Sequence, residues 1–456
     1  MVSFTLFYLL LISATYIYGV FNANAIAPLV ISYGAILYYF FKYMQADNNF
    51  KYEPEILNFL LVGLFVFEFD NILSIYFQST SHHSFPIFIN ISIYLCLIAL
   101  LACIIGLFKF VPFFTNNNLY VCCISIFLIN IFHICFGAKP VIDVYVHLKE
   151  AVEYFLAVKN PYANIYTQVY APEQIKVFYY DNPIFLKYVP FQSAPPVCIA
   201  INTIGHLLGD IRIINAVLFC STPIFLKKIC SKILPTFSDS DHNKMALVAL
   251  FFPAQLYLIF LGWTDIQLGF FIVVFIYFFL NKHNVAAYLA LGVLLSLKQY
   301  SVVYFIPFLF ILNMKDWKLY LITGGIIFFP LAFYAMWNLG SFIDSIILYE
   351  LKQPFRMDSI SILPLLVKYL GIKVYTGILS IFVLLFSFIV ALYYSLKKMP
   401  TLNTEYNKMK FMLYVILFQF ANFLMFSKQS FLNQYYFLIL IFYLTMLFSM
   451  QAQESD

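Results

Sequence analysis

Asp143 heads a segment, KPVIDVYVHLKEAVEYFLAVKNPY, in which Asp143, His147, Glu150 and Tyr154 recur at i, i+4, i+7 and i+11. At helical spacing these four share one face, and Val144, Leu148, Ala151, Val152 and Phe155 share the other. The pattern predicts an amphipathic helix lying on a bilayer. Its polar face has two readings: acids that simply meet water, or an Asp143 carboxylate that takes a proton from a reacting hydroxyl. Pro161 in the NPY triplet at 160–162 stops the helix, because it lacks an amide donor and forces Asn160 into an extended conformation. The loop that follows is rich in tyrosines, among them Tyr162 and Tyr188. Such rings suit a boundary between water and lipid, and they also stack on sugars.

Three cations lie downstream. Lys298 interrupts VAAYLALGVLLSLKQYSVVYFIPFLFIL and Lys428 interrupts ANFLMFSKQSFLNQYYFLIL. A charge at the centre of a membrane helix costs roughly 2.5–3.5 kcal/mol, so each either snorkels to the surface or meets an anion in a cavity. Arg356 lies in the polar joint ILYELKQPFRMDSISIL, and only two of the 26 basic residues are arginines, Arg212 and Arg356. A guanidinium grips phosphate with a planar fork; a loop salt bridge to Asp358 or Glu350 is the plainer reading. Asp265 in FLGWTDIQLG either lines the same cavity or caps the helix that follows. Glu68 and Asp70 suggest no chemistry and are expected to meet polar partners within a helix bundle.

The elements that must position these residues are membrane helices. The chain has 456 residues, 63% hydrophobic and only 10% charged, with a mean hydropathy of +0.88; soluble domains carry about 25% charged residues. Spanning a bilayer takes roughly 20 apolar residues, which places candidate spans at 4–22, 25–44, 56–78, 87–108, 119–138, 190–208, 211–227, 245–261, 266–281, 285–312, 318–337, 373–396, 411–427 and 432–450. The segment 359–370 is too short to cross. The expected fold is therefore an all-α polytopic membrane protein. Two modules are expected: an N-terminal extension of about four spans at 1–114, and a core at 115–456 that holds the polar constellations and an external loop at 139–189.

A net charge of +5, scattered over loops, is not the footprint of a nucleic-acid partner. The eight cysteines lie in or beside apolar runs without CxxC pairs and read as small buried hydrophobes. The N-terminus lacks a basic region and a small-residue cleavage site, so it reads as a first span. Lys and Arg excess marks cytoplasmic loops. With a cytoplasmic N-terminus, the 42–55 joint falls inside and Asp143 outside. Strict alternation then puts Lys227, Lys228 and Lys232 outside, against the rule, unless one segment between 160 and 230 only dips into the membrane.

Taken in order, these features resemble the GT-C superfamily of lipid-phosphosugar-dependent glycosyltransferases. An acid after a span, an interfacial helix, NPY and a re-entry rich in Tyr and Pro resemble that superfamily's first external loop. LSLKQYSVVYFIPFLF resembles the Lys-x-Tyr…Tyr-x-x-Pro segment (Lys298, Tyr300, Tyr304, Pro307) of the catalytic subunit of GPI mannosyltransferase I and of bacterial polyprenyl-phosphomannose-dependent mannosyltransferases. FFPAQLYLIFLGWTDIQLG, ILYELKQPFRMDSIS and FSKQSFLNQYYFL are similar to their Asn-Pro…Arg-Gly-x-x-Asp segment, Arg-bearing loop and terminal Lys…Gln-Tyr motif. The likeness runs over residues 119–445.

The resemblance implies a GT-C-like helix bundle and an inverting transfer in which an external aspartate deprotonates the acceptor. Asp143 matches that base. Lys298, Arg356 and Lys428 become donor-phosphate ligands, and Tyr162, Tyr188, Asp265, Tyr300, Gln434 and Tyr435 substrate contacts. The implied co-substrate is a polyprenyl- or dolichyl-phosphate sugar, a hexose such as mannose, and the acceptor is lipid-linked or a glycan. Three departures stand out. The paired Asp-x-Asp reads Val141-Ile142-Asp143, which puts a divalent metal in doubt, and no other cofactor is implied. The Arg-Gly pair reads Leu261-Gly262 and loses a cation. The four extra N-terminal spans have no counterpart and could hold a small membrane partner subunit or a lipid path.

Two other classes fit less well. A polysaccharide polymerase or ligase relies on arginines in large external loops, and this chain has two. A lipid-linked glycan transporter is expected to show inverted repeats, and no self-similarity stands out. The expected setting is a bacterial inner membrane, with the endoplasmic reticulum as the alternative.

Overall fold

A computed structural model describes residues 23–45, 50–51, 57–58, 60–65, 87–107, 118–174, 194–251, 255–304, 307–308, 317–349, 355–370 and 376–451. In chain order the helices are α1 Ala23–Gln45, α2 Ile87–Leu107, α3 Asn118–Phe136, α4 Asp143–Leu156, α5 Pro196–Leu207, α6 Arg212–Ile233, α7 Asp239–Leu250 and α8 Gln255–Phe260. They continue as α9 Asp265–Leu280, α10 Asn284–Ser296, α11 Trp317–Trp337, α12 Leu339–Ile343, α13 Leu363–Leu370, α14 Thr376–Lys398, α15 Glu405–Phe426 and α16 Leu432–Leu447. Apart from a two-residue parallel pairing of Phe50–Lys51 with Met450–Gln451, the described chain is helical or irregular.

This is an all-α, multi-pass membrane protein. Among the described residues, five helices are long and apolar enough to cross a bilayer: Asn118–Phe136, Arg212–Ile233, Trp317–Trp337, Leu379–Thr401 and Glu405–Phe426. Their packing separates core from lipid face. α15 and α16 are buried almost throughout, whereas α11 and α14 expose Phe328, Phe329, Met336, Phe382 and Ile389. In water such a surface would be a large apolar patch; against lipid tails it is the expected exterior.

Side-chain contacts sort the helix ends into two groups. Arg212 Nη2 donates to the Ile134 carbonyl at 3.2 Å, and the Tyr145 hydroxyl donates to Asp210 at 3.1 Å. The end of α3 and the starts of α4 and α6 therefore meet at one end of the bundle. At the other end, Lys227 pairs with Asp239 at 3.0 Å, Lys232 donates to Asn281 at 2.9 Å, Lys398 donates to the Tyr43 carbonyl, and the Tyr443 hydroxyl donates to the Met245 carbonyl. Lys42, Lys227, Lys228, Lys232, Lys397 and Lys398 gather there, the charge bias that the positive-inside rule expects of a cytoplasmic face.

The clash between charge and alternation is relieved because the described part of the run 190–208 is too short to cross. Its helix, α5, has 12 residues, about 18 Å at 1.5 Å per residue against a core of about 30 Å. Pro195 and Pro196 set its start, and Gly209, at φ 116°, turns the chain back into Asp210. α6 then runs from the Asp143 end to the lysine end, where Lys227 belongs.

Two other expected spans differ. The run 245–261 is split between α7 and α8, and 285–312 is interrupted after Ser296, so that a 3₁₀ turn follows at Gln299–Tyr304. The short segment near 359–370 forms the eight-residue α13. The spans expected at 4–22 and in most of 56–78, together with Glu68, Asp70 and Glu350, lie outside the described residues. α1 packs on α15, through a Tyr33 hydroxyl bond to Asn422 at 2.6 Å and the stacking of Tyr43 on Tyr414.

Candidate functional site

Asp143 opens α4, after Ile142 in an extended conformation, and its Oδ1 accepts the Val144 amide at 2.7 Å. The helix does not float on a bilayer. Tyr145, Leu148, Ala151 and Val152 are buried, with α4 packed on α5. The face expected to meet water instead receives the following loop. His147 Nε2 lies 3.0 Å from the Thr167 carbonyl, Glu150 accepts both the amide and the hydroxyl of Thr167, and the Tyr154 hydroxyl donates to the Ile165 carbonyl at 3.0 Å. The polar periodicity that reads as solvation is thus a docking strip for residues 165–167, and it leaves Asp143 half-buried at its N-terminal edge.

That docking delivers Tyr170 to Asp143. The phenol pairs with the Asp143 carboxylate and lies within the field of Arg356; burial first, and then the Asp143 charge, push its pKa up against the opposing pull of Arg356. Asp143 and Arg356, far apart in sequence, thus act with opposite sign on one tyrosine.

Arg356 belongs to a platform made of two loops. Its amide donates to the Lys428 carbonyl at 3.1 Å, the Ile360 amide to the Ser430 carbonyl at 2.7 Å, and the Ser430 amide to Ser359 Oγ at 2.8 Å. The Arg356 guanidinium lies 4.6 Å from the centre of the Phe431 ring and pairs with Asp358 at 2.7 and 2.9 Å. The local salt bridge and the phosphate fork are thus compatible, since a guanidinium carries five N–H donors. Lys428 sits in the break between α15 and α16, not within a continuous span.

Lys298 likewise stands just beyond the end of α10, where the helix gives way to the 3₁₀ turn. Its ammonium is 3.4 Å from Oδ2 of Asp265, which is fully buried at the start of α9. Asp265 also accepts Asn433 Nδ2 at 2.7 Å and the Tyr300 hydroxyl. Lys298 borders an apolar cavity of about 560 Å³ lined by Pro195, Leu291, Leu295, Ile327 and Leu331. Phe328 lines it too and is 67% exposed on α11, so the cavity reaches the lipid-facing surface.

The remaining expected contacts divide. Tyr300 joins the Asp265 cluster. Gln434 bonds the Phe431 amide in the first turn of α16, and buried Tyr435 donates to the Ile360 carbonyl at 2.7 Å, so both brace the platform. Tyr162 is 1% exposed, donates to the Ala194 carbonyl at 2.8 Å and is boxed by Tyr334 and Phe342, a core anchor with no ring face open for stacking. Tyr188 lies outside the described residues.

Three participants are not among the expected site residues: Tyr170, Asn433 and Arg212. Arg212 is fully buried. It pairs with Asp210 at 2.9 Å, donates to the Phe260 carbonyl at 3.2 Å and stacks 4.9 Å from the Tyr145 ring centre. It brings a cation to the turn at Leu261-Gly262, where the sequence lacks one. Gly262 has φ 74°, and a Cβ there would stand 3.1 Å from Tyr145, so a glycine is what lets the start of α4 settle on this turn. The sequence signal was the Gly-Asp-Ile-Arg run at 209–212 in a chain with two arginines.

Among the described residues, no three His, Cys, Asp or Glu side chains gather as metal ligands. Fold and site together define a polytopic membrane protein with a polar centre at one end of its bundle. The chain matches no known family, no characterised protein and no solved structure in the comparisons made.

Proposed function

We propose that this protein is an inverting glycosyltransferase of the GT-C type, moving a hexose such as mannose from a polyprenyl- or dolichyl-phosphate donor to a lipid-linked or glycan acceptor on the external or lumenal side. The observation that carries the reading is a lipid-accessible apolar cavity with Lys298 at its edge, linked through Asp265 and Asn433 to the loop of the Lys428–Arg356 platform, with Asp143 and Arg356 both acting on Tyr170. A lipid tail suits the cavity, a phosphate suits the cations, and a carboxylate stands beyond them.

In this scheme Asp143 takes the acceptor hydroxyl proton as the oxygen attacks the anomeric carbon. The bond to the phosphate oxygen breaks on the opposite face, and the lipid phosphate leaves with the electron pair. Fixed cations act most strongly where negative charge builds during reaction, which is the role of Lys298, Arg356 and Lys428. Tyr170 occupies the Asp143 carboxylate until an acceptor hydroxyl replaces it. The order of motifs resembling the superfamily supports the same assignment. The N-terminal extension is proposed to serve a partner subunit or lipid path, and a bacterial inner membrane to be the setting.

The test is a donor screen. Membranes containing the chain are supplied with a panel of radiolabelled polyprenyl-phosphate hexoses. Label transferred or released only when the chain is present supports the proposal, and a panel left intact contradicts it.

A further inference from the structure

Asp265 has no part in the transfer step, yet its carboxylate is fully buried and held from three sides. Asn433 Nδ2 stands at 2.7 Å from Oδ2 and the Tyr300 hydroxyl bonds Oδ1, whereas the Lys298 ammonium stands off at 3.4 Å. The two neutral donors fix the carboxylate, and the looser ammonium keeps 19% of its side chain exposed at the cavity wall. An ammonium has three N–H donors, so facing Asp265 leaves capacity for a second anion. A lone ammonium on an apolar wall would be costly; a fixed counter-charge makes that placement tolerable.

The three partners come from different elements. Lys298 and Tyr300 both follow the end of α10, Asp265 begins α9, and Asn433 lies in the first turn of α16, directly after the loop of Lys428 and Phe431. We infer that Asp265 is a positioning residue that holds the Lys298 ammonium at the cavity edge and, through Asn433, sets its distance from the Arg356 platform, so that both cations meet one lipid phosphate. This rests on the donor reading above and assigns Asp265 no contact with the sugar.

The experiment uses the full chain purified in detergent, with farnesyl phosphate as probe and farnesol as its phosphate-free control. Asp265→Asn is expected to weaken farnesyl phosphate binding about tenfold, within the coupling range of contacting residues, and to leave farnesol binding unchanged. In a Lys298→Met background the same substitution is expected to change nothing further, because its effect runs through that lysine. Should Asp265→Asn fail to fold, Asn433→Leu keeps the carboxylate and is expected to weaken the phosphate probe in the same lysine-dependent way. A loss of equal size with and without Lys298, or an equal loss for farnesol, would overturn the positioning role alone. A wild-type chain that does not distinguish farnesyl phosphate from farnesol would overturn the donor reading and this inference with it.

Discussion

The amide of Arg356 donates to the carbonyl of Lys428 at 3.1 Å, so the loops carrying these two cations are one hydrogen-bonded unit. Asn433, a few residues beyond Lys428, reaches Asp265 and hence Lys298. The platform is thereby tied to the cavity edge, and each joint can be tested.

Replacing Arg356 by lysine keeps the charge but removes the fork and the guanidinium's contact with the Phe431 ring. Arg356→Lys is expected to weaken farnesyl phosphate binding by about tenfold, the scale of a lost charged hydrogen bond. Titration calorimetry would check this, and an affinity equal to wild type would leave the Asp358 salt bridge as the residue's whole role.

Lys298→Met should raise the donor concentration needed for half-maximal transfer by roughly tenfold or more. A snorkelling lysine would leave it unchanged. Initial rates against donor concentration distinguish the two outcomes.

Arg212 has a structural role, and its loss should be felt in stability. Arg212→Met leaves Asp210 without its counter-charge, which typically costs about 3–5 kcal/mol for a buried pair. The expected result is a clear fall in Tm in detergent, partly recovered by adding Asp210→Leu. Recovery is expected because replacing both charges by apolar groups removes the unpaired carboxylate.

The same pair predicts an acid limb. Burial works to raise the Asp210 pKa, but the hydrogen bonds and charge of Arg212 outweigh it and hold the group below its ordinary 3.8. The folded chain binds this proton more weakly than the unfolded chain. The pair's contribution is therefore whole above that ordinary value and is lost as pH falls through the lowered one. Tm measured downward from about pH 5 should drop more steeply in wild type than in Asp210→Asn.

Much of this architecture is legible in the residues. Apolar runs give most helices, and the unusual positions of Lys298, Arg356 and Lys428 single them out. What the sequence hides is where helices break. Lys298 and Lys428 look intramembrane because apolar residues continue on both sides, and hydrophobicity does not separate a continuous helix from a helix, a 3₁₀ turn and a second segment. The face of α4 misleads for a related reason: a strip that hydrogen-bonds a loop has the same periodicity as one that meets water. Tyr170 is hidden among the many tyrosines of its loop. Asn433 is one amide beside another, and only the approach of α9 to α16 shows that Asn433 carries the contact to Asp265 and Gln434 the helix cap.

The central claim is that Asp143 is the base of a sugar transfer. The most direct measurement compares wild type with Asp143→Asn and Asp143→Ala, each matched for expression and Tm, for transfer from a polyprenyl-phosphate hexose that wild type uses. Loss of transfer in both variants with Tm retained is the expected result, a fall of about 10²-fold or more for a general base. Full transfer by either variant would contradict it.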